Sequence, residues 1–434
     1  MSRETITIDH LYRVEGHGGI QVTVDETGIT SCQMEIFEGA RFYEVLLKGK
    51  RAEDAPGIVC RVCSICSAGH TLCSIMALED TLSMSVSDEV EGFRDLLNLG
   101  QFIESHALHL FALAAPDYLG DSSILGMAER FPEEVRKGLE IKRIGNLVQE
   151  VVGGRAIHPV NMLVGGLGRR PAVAQMQSLH AELMKALELA LSLEGFIATL
   201  ENPEMGLEDP IFVALRAPGD RYQLRGNALA ATGFEDIPVR EFKTRVNEKV
   251  MRHTTAKQSF YAKQPFMVGA VSRLVHNGER LSGEAGRLRD ALFPANPLAL
   301  HNNAAQYIEL IWTLEEAVSL CAQLTSSVPL VRSEAALGFS GEQSGFAALE
   351  VPRGTLYHYY SVGGDGLLTD ADIITPTAQN LAHVERDFTD CVANWLGDEG
   401  RTQQTLRSHL EMIARAYDPC ISCSTHLVNL NCEV

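Results

Sequence analysis

Arg61-Val62-Cys63-Ser64-Ile65-Cys66-Ser67-Ala68-Gly69-His70 near one end and Asp418-Pro419-Cys420-Ile421-Ser422-Cys423-Ser424-Thr425-His426 near the other are the two stretches around which this chain is organised. Each holds a CxxC pair, a spacing that brings two thiolates within reach of one metal ion. The pairs stand more than 350 residues apart. Four thiolates converging from the two ends make a soft, anionic site that favours a transition metal. A fold that joins its ends through such a site is built around it.

Spacing alone leaves rival readings open. Two CxxC pairs can hold one structural Zn²⁺ tetrahedrally, although zinc ribbons keep their pairs tens of residues apart. A thiol–disulfide couple is another reading, but no thioredoxin-like pattern surrounds either pair. Ten cysteines in 434 residues do not make a disulfide scaffold. The other six, Cys32, Cys60, Cys73, Cys321, Cys391 and Cys432, lie mostly in apolar runs and read as buried, inert thiols.

The chain is long enough to bury a large core, as one unit or as two to three domains. Hydrophobic residues at 45% and charged residues at 21% are ordinary for a soluble globular protein. The net charge of −19 argues against nucleic acid or an anionic membrane as a main partner. Met1 to His10 carries no apolar signal core, and no stretch approaches the roughly 20 apolar residues of a membrane helix. The expectation is a cytoplasmic protein with no direct membrane span.

Ile20, Val22 and Val24 alternate with polar residues, as do Cys32, Met34 and Ile36, with Asp25-Glu26-Thr27-Gly28 between; this predicts a β-hairpin. From about Glu91 the period turns helical, with Phe93, Leu96, Leu97 and Leu108 fitting one long helix or two. Leu179, Leu183, Leu187 and Leu191 mark another helix, and Ile308, Ile311, Leu314, Ala317, Cys321 and Leu324 a third. Leu349–Val362 reads as β before the turn Gly363-Gly364-Asp365-Gly366, and the stretch from Leu381 to Tyr417 as helical. The predicted fold class is mainly α with smaller α+β parts: a central long-helix bundle with a strand-rich segment over 1–60, a mostly helical body over 61–340, and a mixed region over 341–434 ending in the second CxxC and a short tail.

The flanks of the two pairs resemble the RxCxxCxxxH and DPCxxCxxH motifs of the large, catalytic subunit of nickel–iron hydrogenases. Nearly the whole chain shares the likeness. Arg13-Val14-Glu15-Gly16-His17, Arg41-Phe42-Tyr43-Glu44, Ser105-His106-Ala107-Leu108-His109 leading to Asp117, Gly154-Arg155-Ala156-Ile157-His158-Pro159, Glu350-Val351-Pro352-Arg353-Gly354 and Pro376-Thr377-Ala378-Gln379-Asn380 match further motifs of that family. The wording is most similar to the cytoplasmic group that couples to soluble electron carriers. The resemblance implies one catalytic subunit over 1–434 with the hydrogenase large-subunit fold.

It also implies the roles. Nickel is held by Cys63, Cys66, Cys420 and Cys423, with Cys66 and Cys423 bridging to an iron that carries carbon monoxide and cyanide. Thiolates suit such a centre because they are soft donors. Glu15 is the implied carboxylate that relays the proton outward from Cys420. Arg353 stands over the open metal position, where it either abstracts the proton or only shapes the site, with Asp117 and Asp418 as its implied partners. Thr377 hydrogen-bonds a cyanide ligand, and His70 supports the bridging sulfurs. Glu44 and His426 are the implied ligands of a separate Mg²⁺ or Fe²⁺ near the C-terminus.

Family precursors are usually cut after the terminal histidine. Leu427 to Val434 follow His426 here, so the chain is either unprocessed or a member that keeps a short tail. The resemblance implies maturation factors and, if the tail is cut, a C-terminal endopeptidase. Beyond the four cysteines there is no iron–sulfur ligand set, so electrons need an outside route; the resemblance implies an iron–sulfur small subunit and further flavin or iron–sulfur electron-transfer partners. Two other function classes stand against this one. A zinc-stabilised scaffold has no use for Glu15 or Arg353, and a complex I-like relative lacks the cysteine pairs.

Overall fold

The computed structural model describes residues 4–26, 28–39, 42–121, 123–326, 338–400 and 402–425. Four long helices, Asp88–Leu108, Pro132–Gly153, Val173–Leu191 and Asn302–Thr325, pack each on the next and the last on the first, which makes a bundle. The first begins where Ser87 accepts a hydrogen bond from the Val90 amide, with Asp88, Glu89 and Glu91 in its first turn against the positive helix end. Pro132 opens the second, where its missing N–H costs nothing. These two helices touch backbone to backbone: a Cβ on Gly145 would lie 2.4 Å from the Glu104 nitrogen.

The predicted helix from Glu91 is a single one, and it runs on into a π-helical turn, His109–Ala114. The predicted helix near Leu381–Tyr417 is two, Pro376–Gly397 and Gln403–Ala416, separated where Thr402 caps the second.

Two antiparallel sheets lie beside the helices, the first against Pro376–Gly397 and the second against Ser67–Thr81. The first, Glu4–Ile8, Gly18–Asp25 and Gly28–Ile36, contains the expected hairpin, with Val22 opposite Cys32. The second is a meander of Gln343–Val351, Gly354–Val362 and Leu368–Ile374. The helix Ser67–Thr81 lies across its first two strands. One large core runs through bundle and sheets. A smaller, separate core lies around Val213–Arg216, Ala228–Ala231 and Lys257–Tyr261, strands inside the stretch expected to be mostly helical. No described helix is long and apolar enough to cross a membrane.

Candidate metal centre

Both cysteine pairs arrive at helix starts. Cys66 is the N-cap of Ser67–Thr81, where free backbone N–H groups favour a thiolate. Cys420 caps the short helix Ile421–Ser424. The second segment turns inward at Asp418, whose φ of +49° is left-handed. The chain's two ends then join, as Glu15 and Cys420 form a parallel β-bridge in which the Ile421 amide donates to the Glu15 carbonyl at 2.9 Å.

The sulfurs of Cys63, Cys66, Cys420 and Cys423 are all buried and lie within 4.8 Å of one another. Hydrogen bonds from the other three cysteines hold the Cys66 thiol well below its ordinary pKa, and the Arg353 charge adds to this. Burial pushes Cys420 and Cys423 well up. Four thiolates buried this close together repel one another unless a cation sits among them. The donor set therefore fits a thiolate-bound transition metal.

Arg353 lies against this cluster. Its Nη1 donates to Cys66 Sγ at 3.3 Å, Nη2 to Asp418 Oδ1 at 2.9 Å and Nε to the Asp418 carbonyl at 2.7 Å. Burial opposes its charge, but Asp418 and the sulfurs outweigh burial and push its pKa further up. Asp418 Oδ2 accepts from Gln306 at 3.2 Å, and His109 lies 2.5 Å from the Gln306 oxygen.

Glu15 stands on another side. Its Oε2 accepts from Cys420 Sγ at 3.2 Å and from the Ser422 amide at 3.0 Å. Ser422 Oγ donates to Glu38 at 3.0 Å, and Glu38 lies 3.1 Å from His17 Nδ1, whose side chain is 74% exposed.

Thr377 Oγ1 accepts from the Cys420 amide at 2.9 Å. It lines a small cavity with Cys66, His70, Arg353 and the apolar Val351, Leu356 and Pro376. His70 is 3.2 Å from His358 Nε2, and burial lowers its pKa to about 4, so it is neutral.

Glu44 is placed elsewhere. Its Oε1 accepts from the Ile373 amide at 3.0 Å and lies 3.6 Å from Lys257 Nζ. Burial pushes its pKa up to about 7, and Oε2 is buried without a partner. An orphaned carboxylate oxygen of this kind suits a cation ligand. His426 and Cys432 lie outside the described residues.

One expected pairing is not found. Asp117 does not meet Arg353; its carboxylate pairs with Arg13 and with Arg415, whose Nε lies 2.6 Å away. Arg353 already has partners on Nε, Nη1 and Nη2, and Asp117 follows the π-helical turn, which leads it towards those other two arginines. Sequence reasoning also passed over Gln306, His358 and Arg273. Their one signal is a polar side chain on an otherwise buried face.

Residues 41–137 and 239–426 match the family profile described as "Nickel-dependent hydrogenase", and residues 5–38 one described as "HoxL-like". The chain is 38% identical over 433 residues to Sulfhydrogenase 1 subunit alpha of Pyrococcus furiosus, covering 98% of each protein. It is 34% identical to Sulfhydrogenase 2 subunit alpha of that organism, covering 98% of this chain and all of the relative. Its fold matches an NAD+-reducing [NiFe]-hydrogenase crystallised in the H2-reduced state, with a TM-score of 0.88, 25% identity and coverage of 98% and 99%. The Ni-Fe-Se hydrogenase of D. vulgaris Hildenborough shares the fold at a TM-score of 0.78 and 19% identity, over 98% of this chain and all of that one. With four buried thiols drawn from both ends of the chain and a family match over more than half its length, this protein belongs to the nickel-dependent hydrogenases, as a catalytic large subunit.

Proposed function

We propose that this subunit cleaves H2 reversibly and heterolytically with Cys420 and Glu15 as its proton exit and Arg353 as the fixed cation beside the metals. The carrying observation is the Glu15 carboxylate 3.2 Å from the Cys420 sulfur, with Arg353 on Cys66. Cys63, Cys66, Cys420 and Cys423 would hold nickel, and Cys66 and Cys423 would share the iron. When bound, the nickel–iron pair supplies Lewis acidity that polarises the H–H bond.

The chain's own groups do the rest. The Cys420 sulfur takes the proton and hands it to Glu15 Oε2, which the Ser422 amide keeps in place. Arg353 holds a permanent positive charge in a dry space and its partner Asp418 keeps the site near neutrality. The apolar walls Val351, Leu356 and Pro376 suit carbon monoxide on iron, and the Thr377 hydroxyl suits a cyanide. Neutral His70 supports the sulfurs from the cavity wall. The unpartnered Glu44 oxygen supports a Mg²⁺ or Fe²⁺ shared with His426. Asp117 acts through Arg13 and Arg415, tying the N-terminal segment to the helix that precedes Asp418.

The four-cysteine cluster is the one group of this kind among the described residues. Electrons therefore leave through a partner, for which an iron–sulfur small subunit is the fitting class, with flavin or iron–sulfur subunits beyond it. We further infer a cytoplasmic setting, maturation factors and, where the tail is cut, an endopeptidase acting after His426.

The test is the native complex. Nickel and iron near one to one at this subunit, after subtracting cluster iron, with infrared carbonyl and cyanide bands and H2-dependent dye reduction, is the expected outcome. Zinc alone, without such bands, in a sample whose C-terminal peptide ends at His426 would overturn it.

A further inference from the structure

Arg353 stands at the tip of a two-residue hairpin. Val351 pairs with Gly354, so Pro352 and Arg353 form the whole loop. Two-residue hairpins favour turns whose first central residue has positive φ, because these match the twist of the strands. Pro352 cannot adopt one, and neither Pro352 nor Arg353 is among the positive-φ residues. The positive φ, +134°, falls one residue later on Gly354, where a Cβ would lie 2.4 Å from Val268 Cγ2. Pro352 and Gly354 suit a type I turn locally, but that turn splays the strands of a two-residue hairpin, so the local sequence does not by itself fix where the tip points.

Arg273 does. It comes from the helix Ala270–Asn277 and is 1% exposed. Its Nη1 donates to the Val351 carbonyl at 3.0 Å and Nη2 to the Pro352 carbonyl at 2.9 Å, the two carbonyls that lead into Arg353. The remaining donors meet Glu309 at 2.6 and 2.7 Å and Glu350 at 3.0 Å. All five N–H groups of the guanidinium are used. Glu350 is fixed in turn by the Leu215 amide at 2.8 Å and Thr355 at 2.7 Å, and Tyr222 donates to Glu309. Both acids are buried.

We propose that Arg273 is the positioning residue of Arg353: it clamps the Val351–Pro352 backbone and so aims the Arg353 guanidinium at Cys66. This rests on the reading above that Arg353 works at the metal centre. A lysine at 273 keeps a positive charge between Glu309 and Glu350 but brings three donors to five acceptors. A buried carbonyl left without a donor is free to turn away.

The test uses purified holo-complexes of wild type, Arg273→Lys, Arg353→Lys and the double variant. Nickel per subunit is expected to stay level, and Arg273→Lys to lower H2-dependent dye reduction at least tenfold. In the Arg353→Lys background the same change is expected to cost less than twofold, because it acts through a side chain already gone. A structure of the Arg273→Lys complex is expected to show Arg353 moved off the Cys66 sulfur. Full turnover in Arg273→Lys, or an equal loss in both backgrounds, overturns the proposal. Should Arg273→Lys give no folded complex, Glu350→Gln removes one Arg273 partner with little change of shape; a few-fold loss confined to the Arg353 background supports the clamp, and an equal loss in both sinks it. A fully active Arg353→Lys enzyme would overturn the functional reading itself, which separates that failure from failure of the clamp.

Discussion

On one side of the sulfur cluster stands Arg353, 4% exposed, with a partner on each of its three nitrogens and a turn clamped from behind by a second buried arginine. On the other stands Glu15, half-buried in a loop, with a line of polar groups from Ser422 to Glu38 that ends at exposed His17. Both carry charge to the same four sulfurs. The first side fixes a charge that must not move, in a space where desolvation makes its interactions strong. The second is a line of hydrogen-bonded groups that reaches the surface at His17. Under the proposed function, holding charge and passing a proton fall to different groups on different sulfurs, Arg353 on Cys66 and Glu15 on Cys420, which makes the two separately testable.

The largest expected effect removes what both sides serve. Cys420→Ser is expected to leave nickel near zero per subunit by metal analysis and to abolish H2-dependent dye reduction. Next comes Glu15→Gln, which keeps shape and loses the proton. Turnover should fall by roughly 10²–10⁴ with nickel content unchanged. Arg353→Lys keeps the charge and loses the fork. One charge-assisted hydrogen bond is worth about 1.5–3 kcal/mol, so a fall of about ten- to a hundredfold is expected. If Arg353→Lys proved more damaging than Glu15→Gln in the same assay, the assignment of proton work to the Glu15 side would be wrong.

Smaller effects test the frame. Gly145→Ala puts a methyl into the helix crossing, and should cost about 1–3 kcal/mol in thermal melts while turnover per nickel holds. The smallest concerns Asp387, buried beside His383 and Tyr417, whose pKa burial pushes up to about 8. The folded state binds this proton more tightly than the unfolded chain, so stability from this group falls as pH rises from about 4 to about 8. Asp387→Asn should melt with a shallower pH slope over that window; an unchanged slope would show that Asp387 does not carry it.

The sequence carried the site's contacts unevenly. The four cysteines, Glu15, Arg353, Thr377 and His70 sit in short motifs whose flanks name them, and the structure gathers all eight. Leu179, Leu183 and Leu187 likewise foretell the helix Val173–Leu191, because its core face repeats every turn. Asp117 was misjudged because the choice among three arginines depends on the chain's path after a π-helical turn, which periodicity does not encode. The short strands between 213 and 261 carry no clear alternation and close a small core together with Ala348, Tyr357 and Ile374 of the second sheet. Arg273 is a single polar residue in a helix, and its purpose appears only when the hairpin tip lies beside it.

The bridge between Glu15 and Cys420 has a consequence for synthesis on the ribosome. Cys63 is made 357 positions before Cys420. At roughly 5–20 residues per second, the first pair waits about 20–70 s before the second pair exists. During that interval two soft ligands and no lid face the cell's pool of metals. The order in which ions reach the half-site, and not affinity alone, then bears on which one is enclosed when the last segment closes.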